Sequence, residues 1–222
     1  MDVLLVVIAA LQAYVLGSIN FAVIFTNVFI KKDVRDFGSG NAGMTNVLRV
    51  AGPLPGILTF ICDAAKGAIA CFVGKNIIFC YLFENYPELN NIYLPIYGAL
   101  FCGFFCMIGH VFPAFFQLKG GKAVAVSVGI FAVVDWRCIL VALGVFAVTL
   151  LITKIISISS LLATASMPVC IYLFPRNTGE NVWVCVILTL AMALIIYLKH
   201  IENIKRLVLG QEKPIFGKSK KD

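Results

Sequence analysis

The stretch Lys122-Ala-Val-Ala-Val-Ser-Val-Gly-Ile-Phe-Ala-Val-Val134, Asp135-Trp136-Arg137, Cys138-Ile-Leu-Val-Ala-Leu-Gly-Val-Phe-Ala-Val-Thr-Leu-Leu-Ile-Thr153 can be read in two ways. Its apolar halves are either two helices divided by a polar break or one long bent helix. Loop charge decides between them, because Lys and Arg gather in the cytoplasmic loops of membrane proteins. With two helices the chain crosses a bilayer seven times. Lys31, Lys32, Arg35, Arg49, Lys119, Lys122, Lys154 and the basic tail from Lys199 onward then share one face, and the other keeps only Lys75, Arg137 and Arg176. Merging the halves erases that bias. The chain therefore reads as an all-α integral membrane protein with seven transmembrane helices, its N-terminus extracytoplasmic and its C-terminus cytoplasmic.

Composition agrees. Of 222 residues, 61% are hydrophobic and only 13% charged, and the mean hydropathy is +0.97. Soluble domains carry about 25% charged residues. Apolar runs between short polar breaks suit helices crossing a hydrocarbon core of about 30 Å, and no alternating segments of the kind a barrel needs are present. The net charge of +7 could suggest nucleic acid. Its placement between and after apolar runs fits loop bias and attraction to anionic lipid instead, so membrane lipid is the expected partner and nucleic acid is not. The eight cysteines include no Cys-x-x-Cys pair and read as reduced packing residues.

The first span is expected over Val3–Ile30, and the second over about Gly56–Gly74, opened by Pro53 and Pro55. Asp63 and Lys66 lie three residues apart on one face of that second helix, where they can pair. Ionisable groups inside a span are costly and face a bundle interior or a site. An acidic, turn-rich loop, Glu84–Asn91, precedes a third span at about Tyr93–Ile108. The sixth and seventh run over Ser157–Phe174 and Val182–Leu198. With no strong internal repeat, residues 1–222 read as a single polytopic domain.

Apolar packing does not account for Gly38-Ser-Gly-Asn-Ala-Gly-Met-Thr-Asn-Val-Leu-Arg49. Glycines permit positive φ and close approach of a ligand to the main chain, so consecutive N–H groups can turn inward as an anion-binding nest. Ser39, Thr45 and the amides of Asn41 and Asn46 add neutral donors, and Arg49 adds a planar fork that fits phosphate. Lys119-Gly-Gly-Lys122 is a second anion-suited turn. It fails as a Walker A motif, because Phe116 stands where the first glycine belongs and Ala123 where Ser or Thr should be. Beyond the last span, His200, Asn203 and Arg206 recur at three-residue intervals along one helix face. Two histidines and few clustered carboxylates make a poor ligand set, so no metal site is read and no cofactor is called for.

Four ordered motifs, Gly38 to Arg49, Asp63-x-x-Lys66-Gly67, Gly109-His-Val-Phe-Pro-Ala-Phe-Phe-Gln-Leu-Lys-Gly-Gly-Lys122 and His200-x-x-Asn-Ile-x-Arg-Leu207, closely resemble the bacterial acyl-phosphate:glycerol-3-phosphate acyltransferases of the PlsY type. The resemblance covers nearly the whole chain. It implies a multi-pass enzyme of the bacterial inner (plasma) membrane with a cytoplasmic active site. Such an enzyme moves a fatty acyl group from acyl phosphate to the sn-1 hydroxyl of glycerol 3-phosphate, giving lysophosphatidic acid and inorganic phosphate, the first step of phospholipid biosynthesis. The chain departs from the family at Ala123, where glycine is common, and at Val126-Ser127, where Ala-Thr is expected soon after the lysine turn.

On this reading Ser39, Gly40, Asn41, Gly43, Thr45, Asn46, Arg49, His110, Lys119 and Lys122 bind substrate. Ser157, His200, Asn203 and Lys66 are the catalytic group, the first three orienting glycerol and carbonyl and Lys66 stabilising developing charge. The proton acceptor stays open among His200, His110 and a substrate phosphate oxygen. Thioester-using acyltransferases pair a histidine with an aspartate four intervening residues on, and here Phe115 and Lys205 hold those positions. An organic-phosphate transporter with a midplane site and a structural membrane subunit are the rival classes.

Overall fold

The structure, a computed structural model, describes residues 2–78, 81, 84–85, 94–174, 182–212 and 214. Among these residues every regular element is helical. In order they are α1 (Asp2–Gly17), α2 (Phe21–Ile30), a 3₁₀ turn at Val34–Asp36, α3 (Met44–Ala51), α4 (Pro53–Val73) running into a π-helical turn at Gly74–Ile78, α5 (Leu94–Val111), a 3₁₀ turn at Ala114–Phe116, α6 (Val124–Val134), α7 (Trp136–Thr153), α8 (Ile156–Leu173), α9 (Val182–Lys199) and α10 (Ile201–Val208).

Six helical stretches are long and apolar enough to cross a bilayer: Val3–Ile30, Pro53–Ile77, Pro95–Phe116, Trp136–Thr153, Ile156–Leu173 and Val182–Lys199. The two halves of the opening stretch are separate helices. Asp135 lies between them in extended backbone, and its side chain accepts the Arg137 N–H as the N-cap of α7. At 11 residues α6 is about 16 Å long, short of a core of about 30 Å, so length alone does not make it a seventh span. Pro53 opens α4 as expected, since a first-turn proline loses no hydrogen bond. Most of the loop Glu84–Asn91, and Cys80, lie outside the described residues.

The chain forms two compact units, Met1–Val134 and Asp135–Asp222. In the first, helices approach through small residues. A Cβ on Gly17 would run into the Cys106 carbonyl, one on Gly109 into that of Tyr14, and one on Gly129 into that of Ala64. Backbones this close gain dispersion that lipid contact would not supply.

In the second unit α7, α8 and α9 alternate in direction. The Arg137 guanidinium lies 4.9 Å from the Phe174 ring, Tyr172 packs on Trp183 at 5.5 Å, and Tyr197 OH donates to Leu161 O at 2.9 Å. One end thus carries Trp136, Tyr172 and Trp183, the amphipathic rings of a membrane interface, with Phe174 among them. The opposite end carries Lys154, Ser157, Lys199 and His200. Between them α7 exposes Leu140, Leu143, Val148, Leu151 and Ile152, a surface suited to lipid.

Candidate active site

Val3–Ile30 is expected as one helix, and the structure breaks it at Ser18–Asn20. The break leaves main-chain carbonyls without helical partners, which is costly inside a membrane. Lys66 of α4 supplies the missing donor, reaching Gly17 O at 2.9 Å and Ile19 O at 2.6 Å while pairing with Asp63 Oδ1 at 2.9 Å. The two carbonyls take ammonium hydrogens, and Asp63 neutralises the charge as an ion pair. Lys66 is buried, and its contacts give it a scaffold role beside the catalytic one expected of it. The neighbouring Asn20 takes the Val23 N–H on its carbonyl oxygen and so starts α2.

The glycine-rich stretch then forms a loop leading into α3. Gly38 and Gly40 have φ of +61° and +69°, values that L side chains rarely adopt. Asn46 organises this loop. Its Nδ2 donates to Val34 O at 3.0 Å and Phe37 O at 2.9 Å, and its Oδ1 accepts Ser39 N–H at 3.0 Å. Both amide hydrogens are held by the backbone, so Asn46 shapes the cradle. Helix α3 starts at Gly43 with no side-chain cap, so the positive end of its dipole carries orphan N–H groups. Thr45 and Arg49 lie one turn apart on α3. Among the described residues, the side chains of Ser39, Asn41, Thr45 and Arg49 make no hydrogen bond or ion pair.

The lysine turn packs against this loop. A Cβ at Gly121 would meet Ala42 O at 2.6 Å and collide with His110 Nε2, so only glycine brings the turn this close. Gly121 N–H donates to His110 O at 3.2 Å. His110 is buried, with Nδ1 3.5 Å from Asp63 Oδ1, which links the turn to the Asp63–Lys66 pair. Tyr14 OH donates to Phe112 O at 2.9 Å, and Ser18 Oγ accepts Ala114 N–H at 3.3 Å, fixing the approach to the turn. Lys119 is exposed and Lys122 half-buried. Ala123 keeps a left-handed φ of +61° although it is not glycine.

In the second unit, Ser157 Oγ and Asn203 Nδ2 donate to Glu212 Oε1 at 2.8 and 2.6 Å, and Arg206 Nε donates to Oε2 at 2.6 Å. Burial pushes the Glu212 carboxyl up, but the bonds from Asn203, Arg206 and Ser157 outweigh it and hold the group below its ordinary range. His200 Nδ1 lies 2.8 Å from Ile196 O. A carbonyl only accepts, so Nδ1 carries the proton.

Sequence reasoning missed Glu212 and Arg35. Neither could be found by local pattern, because what marks Glu212 is the convergence of three donors 6 to 55 residues away. Chemically, the first unit presents cationic and neutral donors around a helix start, suited to a phosphate. The second gathers a hydroxyl, an amide and a guanidinium on the Glu212 carboxylate.

Comparison with known proteins places these features in a family. The profile described as glycerol-3-phosphate acyltransferase matches residues 7–210. Glycerol-3-phosphate acyltransferase 2 of Bacillus anthracis is 35% identical over 209 residues, covering 94% of this chain and 98% of that one. The glycerol-3-phosphate acyltransferase of Jannaschia sp. (strain CCS1) is also 35% identical, over 97% of this chain and 95% of its own. Two crystal structures of PlsY (YgiH), an integral membrane glycerol 3-phosphate acyltransferase, superpose on this fold. The glycerol 3-phosphate form gives a TM-score of 0.78 at 29% identity, covering 96% of each chain. The lysophosphatidic acid form gives 0.76 at 28%, covering 96% of this chain and 95% of that one.

Proposed function

We infer the reaction from one premise: this chain belongs to the glycerol-3-phosphate acyltransferase family of the PlsY type. The acyl donor is acyl phosphate, the acceptor is the sn-1 hydroxyl of glycerol 3-phosphate, and the products are lysophosphatidic acid and inorganic phosphate. The observation that carries this reading is the set of side-chain donors, Ser39, Asn41, Thr45 and Arg49, left uncommitted among the described residues around the uncapped start of α3. With Lys119 and Lys122 beside them, these neutralise substrate phosphate, while the Gly40 and Gly43 N–H groups donate to Phe37 O at 3.0 Å and Asn41 O at 3.1 Å and shape the loop. His110 acts beneath the turn, holding Gly121 by its carbonyl.

His200 takes the proton of the glycerol hydroxyl as that oxygen attacks the acyl carbonyl. Asn203 and Ser157, both bonded to Glu212, hold this end of the site in place for the reacting groups. The carbon–oxygen bond to the phosphate then breaks and inorganic phosphate leaves. Neutralising the leaving group and aligning the hydroxyl supply most of the acceleration. The loop-charge bias supports seven crossings, with α6 as the short one, an extracytoplasmic N-terminus and a cytoplasmic active site. Residues 1–222 act as a single polytopic domain in a bacterial plasma membrane, and the lipid product enters the bilayer.

The test is purified protein in detergent, supplied with radiolabelled glycerol 3-phosphate and either acyl phosphate or an acyl thioester. Lipid product from acyl phosphate, one phosphate released per lipid and no sealed vesicle needed, is the expected result. Product from the thioester alone, or none from either donor, overturns the reading.

A further inference from the structure

The two loops proposed to hold phosphate are more than seventy residues apart in sequence, and one side chain joins them. Arg35 sits in the 3₁₀ turn just before the glycine-rich loop. Its Nε lies 3.0 and 3.1 Å from the two Asp33 carboxylate oxygens, and its Nη2 lies 2.7 Å from Oδ2. That fork locks the guanidinium plane, and the hydrogen bond to Asp33 raises the arginine pKa further while lowering that of Asp33. The remaining arm reaches out of the loop, where Nη1 donates to Phe116 O at 2.7 Å and the guanidinium carbon lies 6.0 Å from the Phe116 ring centre.

Phe116 O is a telling acceptor. Lys119 N–H donates to the same oxygen at 3.1 Å. The residues between, Gln117 and Leu118, both have φ near +58°, an unfavourable conformation that the surrounding bonds must impose. On the other side, Val34 O accepts from Asn46, which also holds Ser39 N–H. A continuous set of bonds therefore runs from the cradle backbone through Asn46, the 3₁₀ turn, Arg35 and Phe116 O to the backbone of Lys119.

We propose that Arg35 is a positioning residue of the acyl transfer: through Phe116 O it sets the Lys119–Lys122 turn against the Gly38–Arg49 loop, so that both reach one substrate phosphate. This rests on the function proposed above. Arg35 spends three of its five N–H groups inside the protein and acts through the lysine turn. A lysine cannot replace it, because a point charge cannot fork onto Asp33 and also span to Phe116.

The test is a double-mutant cycle with an activity-independent control, on full-length protein in detergent. Arg35→Gln is expected to raise KM for glycerol 3-phosphate about tenfold while kcat changes less than about threefold, the loss of one charge-assisted bond appearing as binding. In a Lys119→Ala background the same change should cost less, about threefold or under, because one of the two lysines it positions is gone. Limited trypsin digestion of Arg35→Gln should cut after Lys119 about tenfold faster, with cleavage after Lys205 unchanged. Equal Arg35→Gln effects in both backgrounds overturn the proposal. So does unchanged cleavage at Lys119, or a rise at Lys119 and Lys205 together, which marks general loosening. Should Arg35→Gln fail to fold, Arg35→Lys is put through the same cycle; near wild-type KM and cleavage in that variant would also overturn the proposal. If wild type transfers no acyl group but cleavage at Lys119 still accelerates, the reaction assignment fails and the loop tie stands.

Discussion

Replacing Glu212 by Gln tests whether one carboxylate organises the second unit's polar end. Glutamine keeps the shape and one acceptor oxygen but turns an NH₂ group toward Arg206. Bonds to a charged acceptor contribute about 1.5–3 kcal/mol and neutral ones about 1 kcal/mol, so the Ser157 and Asn203 bonds each weaken by roughly 1 kcal/mol. The Arg206 side chain is 41% exposed, and solvent screening holds that contact under about 1 kcal/mol. The expected loss is about 2–3 kcal/mol, or about 5–10 °C in Tm for a chain of this size. Because the folded pKa is depressed, the carboxylate's contribution is complete above the ordinary value of about 4.3. It disappears as pH falls through the lower folded value. Thermal unfolding in detergent should therefore show the full gap between wild type and Glu212→Gln at pH 7, and a gap closing as pH drops below about 4. An equal gap at pH 7 and pH 3.5, or none at pH 7, would refute the reasoning.

Lys66→Met should remove about 3–5 kcal/mol, because it leaves Asp63 buried without its cation and two helix-end carbonyls without their donor; normal Tm with lost turnover would leave the lysine a catalytic role alone. Ala123→Gly should raise stability by about 1 kcal/mol by relieving a left-handed alanine, with turnover retained, and denaturant or thermal titration checks the sign.

Helix ends were legible where a residue carries its own stop signal. Pro53 starts α4, and the polar break at Asp135 separates α6 from α7. The break at Ser18 was not legible, since no proline marks it and its stabilising donor, Lys66, is nearly fifty residues away. Within the site, the glycine-rich loop announced itself because Gly38 and Gly40 do adopt the backbone conformation that glycine suits. The split among its polar residues did not. Asn41 and Asn46 look alike in sequence, yet one amide is committed to the backbone and the other is not, a difference set by the fold of residues 34–39. Arg35 read as loop charge because its partner carbonyl lies 81 positions on.

The account stands on the uncommitted donors of α3 and its loop holding a phosphate. Equilibrium binding of radiolabelled glycerol 3-phosphate to purified protein, without acyl donor, addresses this directly. Arg49→Ala and Thr45→Ala should each weaken binding, the arginine by about tenfold to a hundredfold, the range for one charge-assisted bond. Wild-type affinity in both variants, with their Tm values unchanged, would place the phosphate elsewhere and contradict the account.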